Sequence, residues 1–65
     1  MDSEKISGEI ARMCGWDNAL FGYTIHTATN KVEYYVDSYI RGKRELNTFA
    51  DYATAQAFFD NLKAR

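Results

Sequence analysis

Proline is absent from these 65 residues, and cysteine and histidine occur once each. A single cysteine makes no internal disulfide, which excludes the small secreted scaffold held by bridges and points to a reducing cytosol. One histidine and one cysteine fall short of the ligand set of a structural zinc site. Four scattered glycines form no phosphate-cradling loop. No apolar run nears the roughly 20 residues of a membrane span, and the acidic start Met1-Asp2-Ser3-Glu4 does not look like a signal peptide. Charge of one sign is missing as well. Eight Lys and Arg against nine Asp and Glu leave a net charge of −1, with no global pull toward nucleic acid or an anionic membrane.

What remains is the composition of a folded domain, 46% hydrophobic and 15% aromatic. The length allows one domain, residues 1–65, whose core has little stability to spare because so short a chain buries only roughly 60% of its unfolded surface. Ile6, Ile10 and Met13 fall at helical spacing, which predicts a helix over 3–14. Asp2 or Ser3 would be its N-cap, and Gly15 its left-handed C-terminal residue. Gly8 inside it is the discordant residue, costing about 1 kcal/mol against alanine.

From Leu20 the period changes to two. Phe21, Tyr23 and Ile25 alternate with Gly22, Thr24 and His26; Val32, Tyr34, Val36 and Ile40 alternate with Glu33, Tyr35, Asp37 and Tyr39. A two-residue turn at Thr29-Asn30 and a three-residue turn at Arg41–Lys43 would join these runs to a short polar strand near 44–48. Helical spacing returns with Ala55, Phe58, Phe59 and Leu62 behind Asp51 as N-cap. The predicted fold is α+β, in the order α-β-β-β-α, with a three-stranded antiparallel sheet and two helices on one face. Val36, Tyr34, Ile25, Ile10 and Phe58 or Phe59 are its expected core.

Two helices on one face leave the other open. With the three-residue turn, that face would carry Glu33, Asp37 and Glu45 beside Tyr35, Tyr39 and His26, and Leu46 would turn inward. Tyrosine supplies large, rigid contact area at interfaces, while three carboxylates would repel phosphate. The expected partner is therefore a protein with a basic surface rather than nucleic acid or a membrane, bound by a monomer or weak dimer. The bland alternative is a solvated sheet face. Charge is also uneven: residues 1–40 hold six acids and three bases, and residues 41–65 hold three acids and five bases. Arg41, Lys43 and Arg44 cluster on one hairpin and form the alternative, nucleic-acid-contacting site, although such clusters usually serve solubility.

No pattern names a reaction, a metal or a cofactor. Cys14 has no base beside it in the sequence and reads as a small core residue at a helix end. His26 opposite Glu33 reads as a cross-strand salt link rather than an acid–base pair. The chain is expected not to be an enzyme, since so small a fold has little room for a concave pocket.

Three resemblances accompany this reading. Gly42-Lys43-Arg44, Thr48-Phe49 and Ala55 with Phe58 and Leu62 resemble the closing hairpin and helix of the AP2-like arm-binding domains of phage integrases. That family lays its sheet face into the DNA major groove, where this chain would carry acids. The double-stranded-RNA-binding domain shares the predicted element order, but its second helix opens on lysines where this chain has Asp51-Tyr52-Ala53-Thr54. As a whole, a small acidic chain without catalytic groups is similar to the phage-encoded inhibitors of bacterial defence, anti-CRISPR proteins in particular. That resemblance implies a cytoplasmic inhibitor, acting in a bacterial host, that occupies the nucleic-acid-binding surface of a CRISPR effector.

Overall fold

A computed structural model describes residues 4–64. Four strands, β1 (Lys5–Met13), β2 (Asn18–His26), β3 (Lys31–Ile40) and β4 (Lys43–Phe49), precede one helix, α1 (Tyr52–Lys63). The strands pair antiparallel in sequence order, β1-β2-β3-β4, and α1 packs on β2, β3 and β4. The predicted three-stranded sheet with two helices is thus corrected to a four-stranded meander with one helix.

The predicted first helix is strand β1, and a bulge explains the misleading pattern. Ile6, Gly8, Ala11 and Met13 pair with Ile25, Tyr23, Phe21 and Ala19, and the register slips between Glu9 and Ala11. One extra residue, Ile10, breaks the two-residue alternation. The slip therefore spaces Ile6, Ile10 and Met13 as a helix stripe would. Gly8 had its reason in the sheet, where the phenol ring of Tyr23 lies over it and a β-carbon would collide with that ring. Ile10 is 39% exposed and is no core residue. Cys14 is exposed and free in the β1–β2 connection, not buried at a helix end. Gly15, at φ +147°, holds a turn conformation there instead of ending a helix. The proposed caps Asp2 and Ser3 lie outside the described residues.

Both turns differ in length from expectation. Four residues, 27–30, join β2 to β3, with Asn30 at φ +60°, so the register is Gly22 opposite Tyr35 and Thr24 opposite Glu33. The shift is an even number of residues and leaves every side chain on its expected face. The second turn holds only Arg41 and Gly42, with φ of +54° and +78°, and sets Ile40 opposite Lys43. Two positive φ values give the twist that a two-residue hairpin favours. One residue fewer in the turn flips β4. Leu46 faces outward at 58% exposure, and Glu45 sits across from buried Ser38 on the helix side.

The core comprises Ala19, Phe21 and Val36 from the sheet and Ala55, Phe59 and Leu62 from the helix. Phe21 meets Phe59 and Tyr52 with ring centroids 5.6 Å apart in each case, and Tyr34 meets Tyr52 edge-on at 5.5 Å. Tyr34, Phe49 and Phe58 pack around this cluster, partly buried. Asp51 caps the helix, its Oδ2 accepting from the N–H and the hydroxyl of Thr54 at 2.9 and 3.0 Å. Ser38, 2% exposed, donates to the carbonyl of Glu45 at 3.3 Å.

Candidate binding face

Alternation puts Arg12 of β1, Leu20 and Gly22 of β2, Tyr35, Asp37 and Tyr39 of β3, and Arg44 and Leu46 of β4 on the face opposite the helix. No other element covers it among the described residues. Five of the six residues expected on this face are there: His26, Glu33, Tyr35, Asp37 and Tyr39. Glu45 is not. It borders a hollow on the helix side with Asn47, whose Nδ2 is buried without a hydrogen-bond partner among the described residues.

The acidic character expected of the face is largely cancelled within it. Arg44 grips Asp37 with two parallel hydrogen bonds, Nε to Oδ1 at 3.1 Å and Nη2 to Oδ2 at 2.9 Å. This contact, aided by the charge itself and opposed by partial burial, holds the Asp37 carboxyl below its ordinary pKa. Arg12 grips Glu9 in the same way, at 2.8 and 3.3 Å, and lowers that carboxyl too. Glu33 contacts His26 Nε2 at 2.9 Å, a diagonal pair because Glu33 stands opposite Thr24. Lys5, Arg12, Lys31 and Arg44 thus face Glu9, Glu33 and Asp37, four cations against three carboxylates. Arg44 therefore belongs to the open face as an ion-pair member. The predicted basic trio is divided, with Arg41 in the turn and Lys43 on the helix side.

The centre of the face is closed by an aromatic lid. The phenol of Tyr35 lies over Gly22, whose added β-carbon would strike both that ring and the Gly8 carbonyl. Toward the end of the sheet that carries the Arg41-Gly42 turn, a hollow of about 460 Å³ opens beside Leu20 and Tyr39, with Arg12 and Arg44 at its walls. Tyr39 is 47% exposed and Leu46, next to Arg44 on β4, is 58% exposed.

One residue of this end was not singled out from the sequence. Trp16, in the β1–β2 connection, is 95% exposed. Its neighbours are both fixed, Gly15 by its positive φ and Asp17 because Oδ1 accepts from the Arg41 N–H at 3.0 Å. That hydrogen bond ties the two turns at one end of the sheet. The lone tryptophan within the turn-forming run Gly15-Trp16-Asp17-Asn18 was the available signal.

No group of three or more potential metal ligands converges among the described residues. No helix there is long and apolar enough to cross a membrane. No family model, curated protein or solved structure matches the chain.

Proposed function

We propose that the chain is a non-enzymatic protein-binding module whose site is the turn-bearing end of the open face: Leu20 and Tyr39 at the hollow, Leu46 opposite Asp37 on the same face, and Trp16 in the neighbouring β1–β2 connection. The observation that carries this reading is the exposure of Tyr39 at the hollow and of Leu46 opposite Asp37, on a face that no other element covers among the described residues. Aromatic and aliphatic anchors next to a depression are what concentrate binding energy at protein interfaces. The ion pairs Asp37–Arg44 and Glu9–Arg12 form a polar border with nearly balanced charge, which favours a partner of mixed charge with an apolar ridge over a polyanion. A finer reading, an inhibitor that occupies a basic nucleic-acid-binding surface, requires free carboxylates. It draws less support here, because Asp37 and Glu33 are already partnered and Glu45 is on the other face.

The test is affinity capture with the unsubstituted protein and with Leu46→Lys and Tyr39→Ala. Loss of the same captured protein in both variants, with the fold retained, is the expected result. Capture unchanged by either substitution would make this face a solvated surface. The alternative, DNA contact through the hairpin, is favoured by one observation: Arg41 and Lys43 form no ion pair among the described residues, where Arg44 does. It predicts binding of labelled duplex DNA at low salt that Arg41→Gln with Lys43→Gln removes.

A further inference from the structure

On the helix side, a second hollow of about 320 Å³ lies between the last two turns of α1 and the strands β3 and β4 beneath them. Asn47 is the misfit in its lining. It stands opposite Val36, which is fully buried, where alternation would put an apolar side chain. Its Nδ2 is buried with no hydrogen-bond partner among the described residues, which leaves Oδ1 as the polar atom the side chain can offer to a ligand. An unpaired buried amide costs stability, and proteins accept such local costs at functional sites. Glu45, also in the lining, supplies the charge. Its carboxylate joins no ion pair among the described residues, in contrast to Glu9, Glu33 and Asp37. Lys43, two residues away on the same side of β4, does not reach it. Lys63, the base of the last helical turn, lies over the Phe59 ring at 5.6 Å. The C-terminal end of a helix adds partial negative charge of its own.

We propose that this hollow binds an organic ammonium group carried on an apolar stem. A primary ammonium presents three N–H donors and no acceptor. Glu45, Asn47 and Asn61 each bring an oxygen to the lining, while Ile40, Phe58 and Leu62 wall the hollow for the stem. The hydroxyl of Ser38 is already spent on the Glu45 carbonyl and is not available. The volume is at the small end of ligand sites and suits a stem of a few carbons or one ring. An anion would meet Glu45 and the helix end with the wrong sign, and a neutral ligand would leave the carboxylate without a counter-charge. A free amine and a lysine side chain carry the same group, and the test below separates them. The site lies on the opposite face from Tyr39 and Leu46, so it stands whether or not that face binds a partner.

Titration of the whole chain at pH 7 with phenethylamine, followed by NMR shifts, tests it, with 2-phenylethanol and 3-phenylpropionate as the neutral and anionic counterparts. Half-saturation by the amine is expected on the order of millimolar for a ligand of so few atoms. The shifts should fall at Glu45, Asn47, Phe58 and Asn61. The alcohol and the carboxylate are expected to bind about tenfold more weakly or worse, as is the amine to Glu45→Gln, whose exposed position keeps the fold intact. Asn47→Leu is expected to raise the melting temperature, because it removes the orphaned amide, and yet to weaken the amine severalfold. A residue with a purely structural role would not give that opposite pair. Leu46→Lys, on the other face, should bind like the parent. Nα-acetyl-lysine amide assigns the source. Shifts at the same residues show that a lysine side chain is accepted, and none while phenethylamine binds restricts the site to free amines. Three results overturn the proposal: no saturable shift with phenethylamine, equal binding of the alcohol, or amine binding unchanged in Glu45→Gln. Should Asn47→Leu misfold, Glu45→Gln decides alone.

Discussion

The helix side of this sheet carries most of its aromatic and aliphatic side chains, the open side Leu20, Tyr35, Tyr39 and Leu46, and the two faces finish them by opposite means. On the helix side, Phe21 and Val36 are 1% and 0% exposed because Phe59, Ala55 and Leu62 close over them. On the open side, the phenol of Tyr35 lies over Gly22 and two arginines are fastened to acids on the same or neighbouring strand. The first solution removes apolar area from water and supplies the folding energy. The second leaves the area in reach of a partner and adds little stability, since exposed ion pairs contribute weakly. One face holds the molecule together and the other leaves its side chains in water.

The largest expected effect tests that division at its centre. Phe59→Ala should cost about 3–5 kcal/mol, comparable to the entire stability of so small a domain, and the variant should show no cooperative thermal transition. Tyr39→Ala removes a ring of similar size from the open face and should leave the melting temperature close to that of the parent. Equal losses at the two positions would abolish the distinction between the faces.

A subtler comparison uses the two covered glycines. At Gly22 a β-carbon meets the Tyr35 ring and the backbone carbonyl of Gly8, whereas at Gly8 the nearest atoms it meets are the outer ones of the Tyr23 ring. A phenol can swing aside and a paired strand cannot. Gly22→Ala should therefore destabilise by about 1–3 kcal/mol, and Gly8→Ala by clearly less, in denaturant melts. A smaller effect still is expected for Leu46→Lys, whose stability should stay within about 0.5 kcal/mol of the parent because the side chain is already in water.

The period-two run from Leu20 to Ile40 made the central hairpin and its two faces legible in the sequence, and Asp51 with the Ala55, Phe58, Phe59, Leu62 stripe did the same for the helix. What was hidden depended on single residues. The bulged Ile10 gave β1 the spacing of a helix, and with Gly8 read as a helix interior its cover by Tyr23 could not be seen. Whether Arg41-Gly42 or Arg41–Lys43 forms the turn decides whether Glu45 or Leu46 faces outward. Expecting Leu46 in the core favoured the longer turn, while the shorter one satisfies the twist through a positive φ at Arg41. The site suffered accordingly. Its tyrosines were found, but its charge was misjudged, because the flip that removes Glu45 also brings Arg44 onto Asp37. Sequence alternation identifies the members of a face, and the register decides how they pair.

That pairing gives the face an acid-sensitive component of known sign. Arg44 holds Asp37 below its ordinary pKa chiefly through the paired hydrogen bonds. A carboxyl depressed in the folded state stabilises fully at pH values above its unfolded pKa of about 3.9 and loses that contribution as pH falls through the lower folded value. The difference in melting temperature between the parent and Asp37→Asn should therefore be level from pH 7 to pH 5 and close below pH 4. Glu9, depressed by Arg12 for the same reason, adds a parallel loss that Asp37→Asn leaves intact, so both proteins should still soften in acid. Raised salt should narrow the gap at pH 7, because both pairs are exposed to solvent. A gap that widens toward acid, or none at pH 7, would mean that Arg44 and Asp37 are neighbours without being partners. The open face would then present Asp37 as a free carboxylate, and the case for a basic partner would regain the charge that the ion pair now cancels.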